Sequence, residues 1–214
     1  MKVVEIFKSI EGEGRRAGLP AVFIRLYGCN LNCTYCDTRY GCEGGDYELL
    51  TIPEILDCVE DLNCKNVTIT GGEPLLQGDL KGLISELLKR NYRINIETNG
   101  SLEINDLSCN AGCFLTMDYK CPSSGMESSM NINNFLFLDS GDVLKFVVGT
   151  QEDLDRAYDI IKKFNPKAQI YFSPVFGKMN PEKIVDFIIS KGLNNCKVQL
   201  QLHKIIWDPN KRGV

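Results

Sequence analysis

Several features that would settle the class of this chain at once are missing. No apolar run approaches the roughly 18 residues that a membrane helix needs, so no membrane partner is expected. Lysine and arginine are scattered apart from a short Lys211 and Arg212 tail, and the net charge is −4 with a pI near 5.2. Binding nucleic-acid phosphates takes clustered positive charge, which argues against a nucleic acid as the main partner. There is no internal repeat and no low-complexity linker. The first ten residues, MKVVEIFKSI, are interrupted by Glu5 and Lys8 and do not read as a signal peptide, so a cytoplasmic setting is expected. Histidine is almost absent. His203 is the only one, and a lone imidazole is more often structural than catalytic.

Cysteine, by contrast, is plentiful, with ten in 214 residues. In a reducing cytosol a cluster of thiols points to metal binding or redox chemistry rather than to disulfides. The length fits a single domain over residues 1–214, and an apolar fraction of 43% is enough for a sizeable core.

Strand-like runs rich in β-branched residues occur at 21–28, 66–70, 92–97, 113–117, 143–148, 168–173 and 196–202. Helical patterns lie at 52–62, 80–90, 152–164 and 181–191. Thr51 with Glu54, and Thr150 with Asp153, have the spacing of capping boxes. Repeated β-α-β units give a parallel sheet with helical crossovers. Seven strands are too few for a full eight-stranded barrel of about 250 residues. The expected α/β fold is therefore a shortened partial (β/α) barrel with parallel strands, and a doubly wound open sheet is the alternative. Residues 118–142, rich in Ser, Asn and Gly, read equally as a disordered loop or an active-site loop.

The unusual polar motifs follow the strands: GCN after the first, TGGEP (70–74), ETNG (97–100), DYK (118–120), SPVFG (173–177) and a final HK (203–204). In parallel α/β folds chemistry sits at the carboxyl ends of strands, so these motifs are predicted to meet on one rim.

GCNLNCTYCDT (28–38) puts Cys29, Cys33 and Cys36 within eight residues. Cys58, Cys64, Cys109, Cys113 and Cys196 read as small buried hydrophobes, but three thiols among Asn30, Asn32 and Thr34 do not. A structural zinc site needs a fourth ligand, for which Cys42 or Cys121 would have to serve. An iron–sulfur cubane held by three thiolates leaves one iron open for a small molecule.

The C-x3-C-x2-C spacing followed by TGGEP resembles the radical S-adenosylmethionine (SAM) superfamily. SIEGEG (9–14), VFIRLYGCNLNCTYCDT (22–38), TGGEPLLQ (70–77), ETNG and the closing QLHK together resemble, over nearly the whole chain, its 7-carboxy-7-deazaguanine synthase family. The resemblance implies a [4Fe–4S] cluster on Cys29, Cys33 and Cys36, with SAM at the open iron. It also implies Mg²⁺ at Thr38, a homodimer, and a flavodoxin or ferredoxin as electron donor. The implied reaction turns the pterin substrate 6-carboxy-5,6,7,8-tetrahydropterin into 7-carboxy-7-deazaguanine with loss of ammonia, on the route to queuosine. A deoxyadenosyl radical takes hydrogen from C6, the ring contracts, and hydrogen returns to regenerate SAM.

By the same resemblance, Tyr35, Asp37, Gly72, Glu73, Asn99, Lys120 and Ser123, together with Ser173 and Phe176 of SPVF, are expected to contact SAM. Ile10, Glu11, Gly12, Glu13, Thr70, His203 and the terminal Val214 are expected at the pterin, with Arg25 forking its carboxylate. No residue is assigned as acid or base. Strand alternation alone would leave Arg25 facing solvent. A glycyl-radical-enzyme activase of the same superfamily, or a non-enzymatic iron–sulfur or zinc module, are the competing readings.

Overall fold

A computed structural model describes residues 1–107 and 112–214. The sequence's apolar runs become one nine-stranded sheet in the order β3-β1-β2-β4-β5-β6-β7-β8-β9. β1 (Lys2–Ile10) runs antiparallel to both β2 (Pro20–Leu26) and the two-residue β3 (Glu48–Leu49). From β2 onward every pairing is parallel, through β4 (Asn66–Gly71), β5 (Arg93–Thr98), β6 (Cys113–Tyr119), β7 (Val143–Val148), β8 (Gln169–Pro174) and β9 (Cys196–Val198). No pairing joins β3 to β9, so the sheet stays open as a partial barrel.

Helices α1 (Ile52–Asp61), α2 (Leu80–Lys89), α3 (Gln151–Phe164) and α4 (Pro181–Ser190) form where their apolar stripes fall, and a short α5 (Leu202–Ile206) follows β9. Thr51 and Thr150 form the two capping boxes their spacing predicted: each side chain takes a backbone N–H while the acidic N3 residue reaches back. Among the described residues no helix is long and apolar enough to cross a membrane.

Alternation along the strands divides the sheet into two faces. Ile24, Ile69, Ile96, Leu144 and Phe172 are fully buried in the main hydrophobic cluster. The opposite face carries Arg25, Thr70, Glu97, Asp118 and Lys145, all of which line a cavity. Register sets their order: Arg25 pairs with Thr70, and Asp118 with Lys145. Arg25 therefore faces the barrel interior and not bulk water.

Three elements depart from expectation. β1 and β3 were not foreseen as strands. β9 stops at Val198, and His203 lies on α5 instead of closing a strand. Residues 118–142 agree with the active-site-loop reading: beyond the end of β6 at Tyr119 they form short 3-10 turns, with Cys121, Ser124, Phe135 and Leu138 buried, and the segment supplies Asp118 and Lys120 to the cavity. Of the cysteines read as packing residues, Cys58, Cys64 and Cys196 are free thiols, Cys113 is disulfide-bonded, and Cys109 lies outside the described residues.

Candidate active site

The cavity holds about 620 Å³ and opens at the carboxyl ends of the parallel strands. The cysteine loop leaves β2 through Gly28 and is fastened to the end of β4 by two backbone hydrogen bonds. Gly72 N–H donates to Leu26 O at 3.1 Å and Glu73 N–H to Gly28 O at 2.8 Å. A Cβ on Gly72 would stand 2.2 Å from Gly28 O, so the glycine pair in TGGEP is what lets the two loops touch. ETNG braces the same loop from β5, with Asn99 Nδ2 donating to Asn30 Oδ1 at 3.1 Å and lying 3.7 Å from Cys29 Sγ.

Cys29, Cys33 and Cys36 all face the cavity. A hydrogen bond with the Cys42 thiol outweighs burial and brings Cys29 and Cys36 each down to about 6; the Leu31 N–H and the Asn99 amide add to this at Cys29. Burial raises Cys33. The Cys42 thiol has one proton to give, so one of Cys29 and Cys36 at a time is favoured as the thiolate, the form that binds iron. Among the described residues no three His, Cys, Asp or Glu side chains gather around one point as a single metal ion would require. A cubane asks something different, since each thiolate meets its own iron, so the donor set suits an iron–sulfur cluster better than zinc.

Beside the thiols stands a charged wall. Asp118 accepts from Lys120 through Oδ2 at 2.9 Å and from Lys145 through Oδ1 at 3.1 Å, and Lys145 also reaches Glu13 Oε2 at 3.2 Å. Burial works against the charge on Lys120 and Lys145, but the facing carboxylates prevail and raise both. Burial likewise works against the ionised form of Asp118, and the two ammonium groups outweigh it and lower the carboxyl. Glu97, which accepts from Thr70 Oγ1 at 2.8 Å, is pushed up to about 7, chiefly by burial.

The opposite wall is aromatic. Phe7 and Phe23 stack at 5.1 Å, and Arg25 lies over Phe7 and Tyr40 with its Nε on Glu5 Oε1 at 2.6 Å. The carboxyl-terminal segment completes the enclosure. Leu202 N–H donates to Gly12 O at 3.0 Å, Lys204 pairs with Asp37 at 2.5 Å, and Arg212 sits 3.7 Å over the Tyr40 ring. His203 packs so closely on Gly12 that a Cβ there would stand 2.0 Å from Nδ1. Burial lowers the imidazole pKa, which favours its neutral form.

Most of the site residues expected from sequence meet here. Ile10, Glu11, Gly12, Glu13, Arg25, Tyr35, Asp37, Thr38, Thr70, Gly72, Asn99, Lys120, Phe176, His203 and Val214 all line the cavity with the three cysteines. Glu73, Ser123 and Ser173 do not. Glu73 is fully buried beneath the loop, accepting from Thr98 Oγ1 at 2.9 Å and Asn99 N–H at 2.6 Å, and burial pushes it up to about 7. Ser123 bonds Asp153 at the start of α3, and Ser173 donates to Glu13 Oε1 at 2.5 Å. Glu13 is largely committed to protein partners, because Gln199 and Lys145 reach it as well. Glu11 takes Arg16 at 2.6 Å, and the Thr68 hydroxyl, on Oε1.

Glu97, Asp118, Lys145, Tyr40 and Lys204 were given no role from sequence. Lys145 did carry a signal, as the one charge inside the apolar run VLKFVV.

Comparison with known proteins gives the same result. The radical SAM superfamily model matches residues 23–190. A 7-carboxy-7-deazaguanine synthase from Clostridium acetobutylicum is 52% identical, over 100% of this chain and 99% of its own. One from Methanospirillum hungatei is 43% identical, over 98% of this chain and 86% of its own. The crystal structure of QueE from Escherichia coli shares the fold with a TM-score of 0.75 at 22% identity, covering 94% of this chain and 93% of that one. A three-thiol loop at the mouth of a partial barrel, joined to relatives that match from end to end, makes this chain a member of the radical SAM superfamily and, within it, of the 7-carboxy-7-deazaguanine synthase family.

Proposed function

We propose that the chain converts 6-carboxy-5,6,7,8-tetrahydropterin to 7-carboxy-7-deazaguanine with release of ammonia, through one domain spanning residues 1–214. The observation that carries this reading is the placing of Cys29, Cys33 and Cys36 on the same cavity as Arg25, Glu11 and His203. Cys29, Cys33 and Cys36 would hold a [4Fe–4S] cluster, and with SAM bound the pair supplies hydrogen-atom abstraction.

The protein's own work is to position, to neutralise charge and to exclude water. Glu5 fixes Arg25 through Nε, leaving the terminal nitrogens of the guanidinium for the substrate carboxylate. Glu11, whose protein bonds fall on Oε1, offers Oε2 to the pterin amine and ring N–H groups. His203 and Gly12 hold one edge of the ring, while Phe7 and Phe23 supply an apolar wall. Lys120, beside Cys33 and Tyr35, is suited to the SAM carboxylate.

Thr38 lines the cavity with its hydroxyl on Asp37 Oδ1 at 3.0 Å, and it would give Mg²⁺ one oxygen while substrate and water supply the others. A flavodoxin or ferredoxin as electron donor, a homodimer and a cytoplasmic setting complete the proposal. Arg25 and Glu11 on the cavity suit a small carboxylated pterin better than a protein backbone, which supports a synthase over an activase.

The test is anaerobic reconstitution with iron and sulfide. Incubation with SAM, dithionite, Mg²⁺ and the pterin follows, read by mass spectrometry. The deazaguanine is expected from the native chain and not from Cys33→Ala. Deoxyadenosine without that product would sink the substrate assignment.

A further inference from the structure

Lys145 is a buried ammonium that the proposed chemistry does not use. It lies mid-strand on β7, its side chain 8% exposed, and it bridges two carboxylates from different elements. Glu13 comes from the loop between β1 and β2, next to the Gly12–His203 contact, and Asp118 comes from the end of β6. Asp118 is itself shared, with one oxygen on Lys145 and the other on Lys120. Lys120 in turn lines the same cavity as Tyr35 and Cys33 of the cysteine loop. The result is an alternating chain, Glu13–Lys145–Asp118–Lys120, that crosses the cavity from the pterin-facing loop to the thiols.

We propose that Lys145 is the positioning residue that couples the two ligand sites, so that pterin binding at the Glu13 end strengthens SAM binding at the Lys120 end. This rests on the functional reading above. The sign follows from the sharing of one carboxylate oxygen. Glu13 accepts from Ser173 and Gln199 on Oε1 and from Lys145 alone on Oε2, so of its roughly four acceptor positions the open one lies beside Lys145. A pterin N–H arriving there shares Oε2 with Lys145, weakens its hold on the ammonium and shifts the ammonium toward Asp118. Asp118, better neutralised by Lys145, then holds Lys120 less tightly. Lys120 becomes free to pair with the SAM carboxylate. By linkage SAM must strengthen pterin binding by the same factor.

The test uses the cluster-loaded protein kept oxidised, so that no turnover occurs. SAM dissociation constants are measured by equilibrium dialysis with and without saturating 6-carboxytetrahydropterin, for the native chain and for Lys145→Met. The native chain is expected to bind SAM at least about fivefold tighter with pterin present, the lower end of ordinary coupling. In Lys145→Met the ratio should fall below about twofold, whatever happens to either affinity alone. A residue that only supports the fold would lower affinities without removing the ratio. Should Lys145→Met not fold, Asp118→Asn breaks the next link and must give the same loss of ratio. A native-sized ratio in either folded variant, or a native ratio near one, overturns the proposal. A native chain that binds SAM but no pterin overturns the functional reading, and the coupling with it.

Discussion

Replacing Gly72 by alanine should damage the site at least as much as the loss of a buried polar contact, although it removes no functional group. The new methyl would stand 2.2 Å from Gly28 O and 2.8 Å from Cys29 Cβ, against an ordinary contact of 3.4 Å or more. Neither neighbour is the free end of a flexible side chain, so the backbones must part by about 1 Å. Forced overpacking of this kind costs about 1–3 kcal/mol. The same movement stretches the Gly72 N–H to Leu26 O and Glu73 N–H to Gly28 O bonds, worth about 1 kcal/mol each. A total of about 3–5 kcal/mol corresponds in a chain of this size to a fall in melting temperature of about 6–20 °C.

Cys29 moves with Gly28, so iron loading should drop as well. The assay is thermal unfolding of the apo protein, with iron and sulfide content after reconstitution read in parallel. Gly78→Ala is the control, since its Cβ would meet nothing within 4 Å. A Gly72→Ala protein within about 0.5 kcal/mol of native, the range of an ordinary surface change, would refute the claim that close backbone approach holds the two loops together.

Glu11→Ala should cost about 3 kcal/mol in urea unfolding, because it takes the paired carboxylate from the largely buried charge of Arg16, whose Nε already lacks a partner; Glu11→Gln should cost less than half as much. Arg25→Lys keeps the charge but loses the fork, and should raise the KM for pterin about tenfold or more with little change in kcat, as initial rates will show. The raised carboxyl of Glu73 makes a pH prediction. Between its ordinary 4.5 and about 7 the folded protein holds a proton that the unfolded chain has released, so stability falls as pH rises through that window. The loss amounts to about 3 kcal/mol at its full extent. Denaturant titrations of apo Glu73→Gln across the window should lack that slope, and an unchanged slope would place the proton elsewhere.

The parallel strands were legible because a strand covered on one face by helices and on the other by a dense site reads as a nearly continuous apolar run. β1 was not, since Glu5 and Lys8 break its pattern; it lies toward the sheet's edge, where Glu5 turns out to hold Arg25. QLQLHK alternates like a strand, yet Leu202 N–H goes to Gly12 and not to β8, so tertiary contact overrides the pattern. The site was legible wherever its residues follow strand ends as short motifs. Glu73 has the right motif but turns beneath the loop, because one local donor, Leu75, and two from the end of β5, Thr98 and Asn99, claim its carboxylate. Pairs such as Lys145 with Glu13, or Arg212 with Tyr40, join residues far apart in sequence, and no local pattern announces them.

The carboxyl-terminal closure has a practical optical consequence. The chain's single tryptophan, Trp207, caps α5 immediately before the segment that lines the cavity with Pro209, Arg212 and Val214. Indole emission excited at the red edge, where the eight tyrosines contribute little, therefore reports on this segment alone. A shift in its colour would follow the tail as it settles over a ligand. Its quenching by a light-absorbing cluster would follow iron loading in the same cuvette, without any label added to the protein.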